Sequence, residues 1–325
     1  MRKRIHRFAL LLVALTLALP ICAQAVGEGD GWGAGAIHVP KNFKFSKLVN
    51  HGKGGVPPVA TGTKGRKARQ ASQVLKAPQH SVFYANALGD YMGLMSYDPA
   101  TPTDVTTYAP FDKSLFNAGS TIKDGKLCGL YLDQSMIEYG IIFLWYGWFD
   151  LETGEYDGEV TNVSNRSLIA YATATDPKTG EVFGEFTDQT MQSWEFGVVD
   201  YDTKTRTTIA ETDNLYLAMG ITSQGDCYGI TDDGDLYRID RTTGEETRIG
   251  STGVRVTDAS GMAYSQGAVV DPKTDVFYWA ATDANGECTL YTVDLDDASV
   301  TRVCASPYQQ LALCLLYTSP SPRDA

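Results

Sequence analysis

Two stretches late in the chain share one design: Asp271-Pro-Lys-Thr-Asp-Val-Phe-Tyr-Trp-Ala-Ala281 and Cys288-Thr-Leu-Tyr-Thr-Val-Asp294-Leu-Asp-Asp-Ala-Ser-Val-Thr-Arg-Val-Cys304. Each holds an Asp that opens a short polar turn, flanked by runs rich in β-branched and aromatic residues. Such runs favour strands, and a short polar turn between them fixes the register of a hairpin.

The same element recurs upstream. Asp98, Asp150, Asp200, Asp240 and Asp294 each follow an apolar run and precede a polar turn, at spacings of 52, 50, 40 and 54 residues. The Asp-Pro-Lys-Thr phrase at Asp271 has its counterpart at Asp176, and shorter versions surround Cys128 and Cys227. Each period therefore carries two hairpins. A repeat of roughly 40 to 50 residues holding four strands predicts an all-β chain folded as a β-propeller, in which no blade buries its own faces and neighbours supply the core. About five blades can be traced, beginning near Ser81, Ser120, Ser167, Leu217 and Gly261, over residues 81–313. With 32 Gly, 18 Tyr and 12 Phe, composition agrees with strands joined by tight turns.

The phrase Met262-Ala-Tyr-Ser followed by the two stretches above resembles the propeller repeats of secreted or surface proteins of Bacteroidetes type, distantly similar to WD-repeat, Kelch-like and quinoprotein-like propellers. The resemblance implies architecture rather than activity, because propellers host binding, scaffolding and catalysis alike.

Outside the repeats, residues 1–25 combine a basic start (Arg2, Lys3, Arg4, Arg7), an apolar run and the ending Ala23-Gln24-Ala25, the pattern of a secretory signal peptide. Lipidation at Cys22 is the alternative to cleavage after Ala25. Residues 26–80 carry nine Lys or Arg against Glu28 and Asp30 and show no apolar periodicity, so a flexible basic leader is expected. Residues 314–325 are set apart, since Cys314-Leu-Leu-Tyr-Thr-Ser-Pro-Ser-Pro-Arg-Asp324 resembles a translated sequencing adapter. The ring is accordingly expected to be truncated after Leu313. Without the signal and leader the remainder carries a net charge of -23, which repels phosphate and excludes nucleic acid as a partner. No transmembrane helix is expected in the mature chain.

The chemistry is sparse. All four histidines (His6, His38, His51, His80) precede the repeats, so no His-based triad, zinc site or general base is available there. The repeated aspartates read chiefly as turn residues whose carboxylates accept nearby amides, with carboxylate chemistry or Ca²⁺ as the rival; the loop Thr231-Asp-Asp-Gly-Asp235 lacks the spacing of a Ca²⁺ loop. Cys128 and Cys227 read as small buried strand residues. Cys288 and Cys304 flank one hairpin and are candidates for a disulfide. Trp145 and Trp148 are either a stacking platform for a ligand such as a sugar or core packing. Asn162 and Asn165 match glycosylation acceptors.

The expectation is thus an exported module at the cell surface or in the periplasm, without cofactor or metal, that binds a glycan or protein by loops at one end of its channel. The alternatives are a glycan hydrolase working through channel carboxylates such as Asp98, Asp150 or Glu195, and a structural spacer.

Overall fold

A computed structural model describes residues 36–38, 81–110, 115–133, 141–160, 170–187, 194–256 and 266–317. The signal segment, Cys22, most of the leader, Asn162 and Asn165 lie outside the described residues. All regular elements described are strands. After β1 (Ala36–His38) come β2 (Ser81–Leu88), β3 (Gly93–Tyr97) and β4 (Thr106–Thr107) of the first blade. The second blade is β5 (Leu115–Lys123), β6 (Lys126–Asp133), β7 (Ile141–Asp150) and β8 (Tyr156–Val160). The third is β9 (Ala170–Thr175), β10 (Val182–Thr187), β11 (Trp194–Asp200) and β12 (Thr205–Thr212). The fourth is β13 (Tyr216–Ile221), β14 (Cys227–Thr231), β15 (Asp235–Ile239) and β16 (Glu246–Ser251). The fifth is β17 (Gly267–Val270), β18 (Phe277–Thr282), β19 (Cys288–Val293) and β20 (Val300–Ala305), and β21 (Gln309–Tyr317) follows.

These strands form five antiparallel sheets, each with four consecutive blade positions. The first has the order β21-β2-β3-β4, so its inner strand comes from the far end of the described chain. The inner strands touch in a cycle, β21 to β5, β5 to β9, β9 to β13, β13 to β17 and β17 back to β21. The chain therefore forms a five-bladed β-propeller.

Two sequence expectations change here. The ring was expected to stop open after Leu313, yet Gln309–Tyr317 pairs along the whole of β2, with Ala85 opposite Leu313 and Ser81 opposite Tyr317, and the ring closes. Ser81 consequently opens the second strand of its blade, not the first. The leader, expected to be flexible throughout, contributes β1, which pairs antiparallel with Ile141–Phe143. It does so because β8 covers only Trp145–Phe149 of the ten-residue β7 and leaves the rest of that edge available.

Inner and middle strands such as β2, β3 and β13 are buried on both faces, which explains their near-continuous apolar runs, while the outer strands β12, β16 and β20 are largely exposed or half-buried. Along β2, Val82 and Tyr84 pack with Leu127, Tyr131 and Phe149 of the second blade, while Phe83, Ala85 and Ala87 pack with Ala280 and Leu290 of the fifth. Phe183 and Phe196 meet Met219 and Ile221 between the third and fourth blades. Between the fourth and fifth, Ile230 and Leu236 meet Phe277 and Trp279. Burying such a side chain stabilises by about 1.5–3 kcal/mol.

The turns repeat one local design. Asp150, Asp176, Asp240, Asp271 and Asp294 each accept, on the main-chain carbonyl, the amide of the residue four positions on, at 2.7 to 3.0 Å. That residue is Gly154, Gly180, Gly244, Asp275 or Ala298, all at positive φ. The preceding Thr153, Thr179, Thr243 and Thr274 hydroxyls accept the amide two residues on. Because the strands are antiparallel, the turns between first and second strands and between third and fourth strands all lie at the same end of the ring.

Candidate functional site

At that end the inner strands surround a cavity of about 160 Å³ in the central channel. Its walls differ. β5 and β9 supply four hydroxyl residues, Ser120, Thr121, Thr173 and Thr175, with Ile122 and Ala174 between and beside them, whereas β13, β17 and β21 supply Met219, Gly220, Ile221, Ala268, Val269, Val270, Leu313, Cys314 and Leu315, none with a hydroxyl. Pro177 and Pro272, the second residues of the two Asp-Pro-Lys-Thr turns, stand at the rim. Thr121 and Thr175 share a hydroxyl–hydroxyl bond of 2.7 Å, and the Thr173 hydroxyl donates to the Ser120 carbonyl at 3.1 Å. The lining contains no carboxylate, Lys, Arg or His.

Ionised groups sit around the cavity as latches between blades. The Lys123 ammonium pairs with Asp202 across the second and third blades, and the Arg241 guanidinium pairs with Asp176 across the third and fourth. Asp275 accepts the amide of Ser223 at 2.6 Å and its hydroxyl at 2.8 Å across the fourth and fifth. Burial would push the Asp176 carboxyl up, but the Lys178 amide and the Arg241 guanidinium together hold it below the usual carboxylate range.

The aspartates singled out in the sequence lie in the peripheral turns. The side-chain Oδ1 of Asp98, Asp150, Asp200, Asp240 and Asp294 accepts the amide two residues on, at 2.7 to 2.9 Å. The Thr153 amide lowers the Asp150 carboxyl and the Thr243 amide lowers that of Asp240. Glu195, on the third strand of its blade, takes the Arg206 guanidinium and the Thr208 hydroxyl. Asp98, Asp150 and Glu195 are thus not brought together and none lines the channel, so the expected carboxylate pair for glycan cleavage does not form from them. In the acidic loop, Asp235 pairs with Arg248. Among the described residues no three His, Cys, Asp or Glu side chains gather around a common point.

Trp145 and Trp148 do not make one platform. Three residues apart on β7, they face opposite sides of the sheet: Trp145 packs on the cluster of Tyr131 and Phe149, while Trp148 meets Tyr146, with the Lys126 ammonium 4.7 Å from its ring. Cys288 and Cys304, the candidate disulfide pair, are both buried and stand as free thiols. A bulge between Leu290 and Tyr291 puts Cys304 opposite Leu290, so Cys288 is its diagonal neighbour. Both belong to the cluster between the fifth and first blades. Burial pushes the Cys288 thiol up to about 11.

Comparison with known proteins adds the following. No family model matches the chain, and no curated protein matches it. Among solved structures, one in a nidogen/laminin complex is 8% identical, covers 74% of this chain and 99% of its own, and has a TM-score of 0.43. A Bacteroides caccae protein of unknown function is 10% identical with the same coverages and a TM-score of 0.44. TolB from Acinetobacter baumannii is 14% identical, covering 74% of this chain and 67% of its own at a TM-score of 0.38.

Sequence reasoning missed the cavity and Glu185. Each inner strand gives the cavity only three residues with no local signature. Glu185 is fully buried on β10, its Oε1 accepting the Thr212 hydroxyl at 2.7 Å while its Oε2 has no hydrogen-bond partner. Burial raises its carboxyl well above the usual range, opposed by the Thr212 bond and reinforced by Glu246.

Proposed function

We propose that this chain is an exported, non-catalytic binding module of the periplasm or cell surface, which takes its ligand at the channel end bearing the Asp turns. The observation that carries the reading is the cavity there: hydroxyls on one wall, apolar side chains on the other, and no acid, base or nucleophilic Ser–His arrangement among the described residues around it. Binding sites are typically apolar concavities with a few convergent polar groups on a rigid scaffold. The basic-then-apolar start of the chain supports export. The partner is a glycan or a protein rather than a nucleic acid, given the acidic body.

The test is an array of glycans and an array of peptides probed with the chain and two variants. Lys178→Glu with Lys273→Glu reverses charge in the two exposed rim turns, whereas Asp233→Lys alters a loop at the opposite end. Weakened capture in the rim variant alone is the expected result. Loss in Asp233→Lys alone, or turnover of any arrayed glycan, overturns the assignment. Amino-terminal sequencing of the protein recovered outside the cytoplasm tests export, with a new start at Val26 expected.

A further inference from the structure

Resting on that reading, we infer that the channel cavity receives a small uncharged amphipathic ring of phenol type, with its hydroxyl on the threonine wall and its ring on the wall of Met219, Ile221 and Val270. Three observations lead there. The first is size: about 160 Å³ is close to the roughly 150 Å³ of an engineered apolar cavity that binds benzene.

The second is charge. Asp176 and Asp271, the carboxylates adjoining the rim prolines, are turned into their own turns and latches: they take the amides of Lys178 and Lys273 at 2.7 and 2.8 Å, and Asp271 also takes the Tyr317 hydroxyl. Arg241 is likewise held by Asp176. Inside the lining a charged ligand would leave water without meeting a counter-charge, the exposed rim lysines Lys178 and Lys273 standing outside it, which costs far more than burying a hydroxyl that finds a partner.

The third is the hydrogen-bonding state of the polar wall. Thr121 and Thr175 carry two hydroxyl protons between them, and the bond they share uses one. The pair therefore keeps a proton to donate and lone pairs to accept, which a ligand hydroxyl matches in both roles. A plain hydrocarbon leaves that capacity unused, and water alone leaves the opposite wall without an apolar contact.

The test titrates phenol, benzene and benzoate into the whole chain, followed by calorimetry and by the methyl signal of Met219, with Met95 of the first and fifth blades' interface as internal reference. Phenol should bind more tightly than benzene, benzoate should not bind, and only the Met219 methyl should shift. Thr175→Val should weaken phenol by about fivefold, the factor set by one neutral hydrogen bond, while leaving benzene unchanged. Ala268→Leu, which fills the cavity from the apolar wall, should weaken both. Absence of a phenol-induced Met219 shift in the wild-type chain overturns the proposal without any variant having to fold. So does phenol binding that Thr175→Val leaves intact, or benzoate binding as tightly as phenol. Running the arrays on the same samples separates the two levels: array capture without phenol binding removes the ligand class alone, and loss of rim-dependent capture removes the binding module.

Discussion

Gly180 and Gly244 hold the same place in two copies of one turn, with φ of 76° and 74°. Their surroundings differ, since a Cβ on Gly180 meets open space and one on Gly244 runs into the Ala210 methyl of the preceding blade. Gly180→Ala should therefore cost about 1 kcal/mol, the left-handed conformation alone. Gly244→Ala should cost about 2–3 kcal/mol because overpacking is added. Denaturant midpoints of the two variants check this, and equal losses would mean that the inter-blade contact of Gly244 is slack. Glu185 allows a second measurement at this scale. Its carboxyl is raised on folding, so its protonated form contributes stability that is complete below the unfolded value of about 4.3 and is lost as pH rises through the folded value. Glu185→Gln removes the titration and keeps an acceptor for Thr212. Unfolding curves across pH 4 to 9 should show the variant gaining on the wild type as pH rises; a constant difference would mean that Glu185 is ionised without penalty.

At the scale of elements, the latches make the opposite pH prediction. Asp176 is held below the ordinary range, so it contributes stability above the unfolded value of about 3.9 that disappears as pH falls through the folded one. Arg241→Ala should cost roughly 1–3 kcal/mol at pH 7, and the gap to wild type should narrow as pH falls through the folded value of Asp176. A gap that stays as wide down to the acid limit of folding would assign the loss to the Arg241 side chain packed over Phe183, 5.1 Å from its ring centroid. These turns were legible because they are local: an Asp, a Thr three positions on and a residue tolerant of positive φ satisfy one another within six residues. The parity of Trp145 and Trp148 was equally present in the sequence, because side chains of a strand alternate and an odd spacing separates them. The bulges were not. In β12, β16 and β20 an extra residue, Ile209, Ile249 or Val303, is accommodated at equivalent register shifts. A bulge is a mismatch between two strands, and one strand's sequence does not contain it. Without the bulge Cys304 would stand opposite Thr289; with it Cys304 stands opposite Leu290, so Cys288 is its diagonal neighbour on the same face. Ile209 and Ile249 pack against the next interface while Val303 is 38% exposed, because the blade beyond it has only the two-residue β4 as its outer strand.

Closure of the whole ring was the least legible feature, since it joins residues more than 200 positions apart and leaves no periodic trace. Loop-closure entropy opposes such a contact, growing slowly with length, so β21 must offset it by what it buries. It brings in Leu311, Ala312 and Leu313, each at most 5% exposed, and Gln310, whose Oε1 accepts the buried Tyr97 hydroxyl at 3.0 Å. Two buried leucines at about 1.5–3 kcal/mol each, a net hydrogen bond of about 1 kcal/mol and a full ladder to β2 together rival the roughly 5–15 kcal/mol that separates a domain from its unfolded state. Ending the chain after Tyr308 should thus do more than lower a midpoint. It uncovers the inner edge of β2 and the flanks of β5 and β17 at once, and an uncovered strand edge recruits other chains. The shortened protein should run as soluble aggregates in size-exclusion chromatography and lose the single cooperative transition of the closed ring. A monomer melting sharply at the original temperature would show that the other four blades hold the ring without this strand.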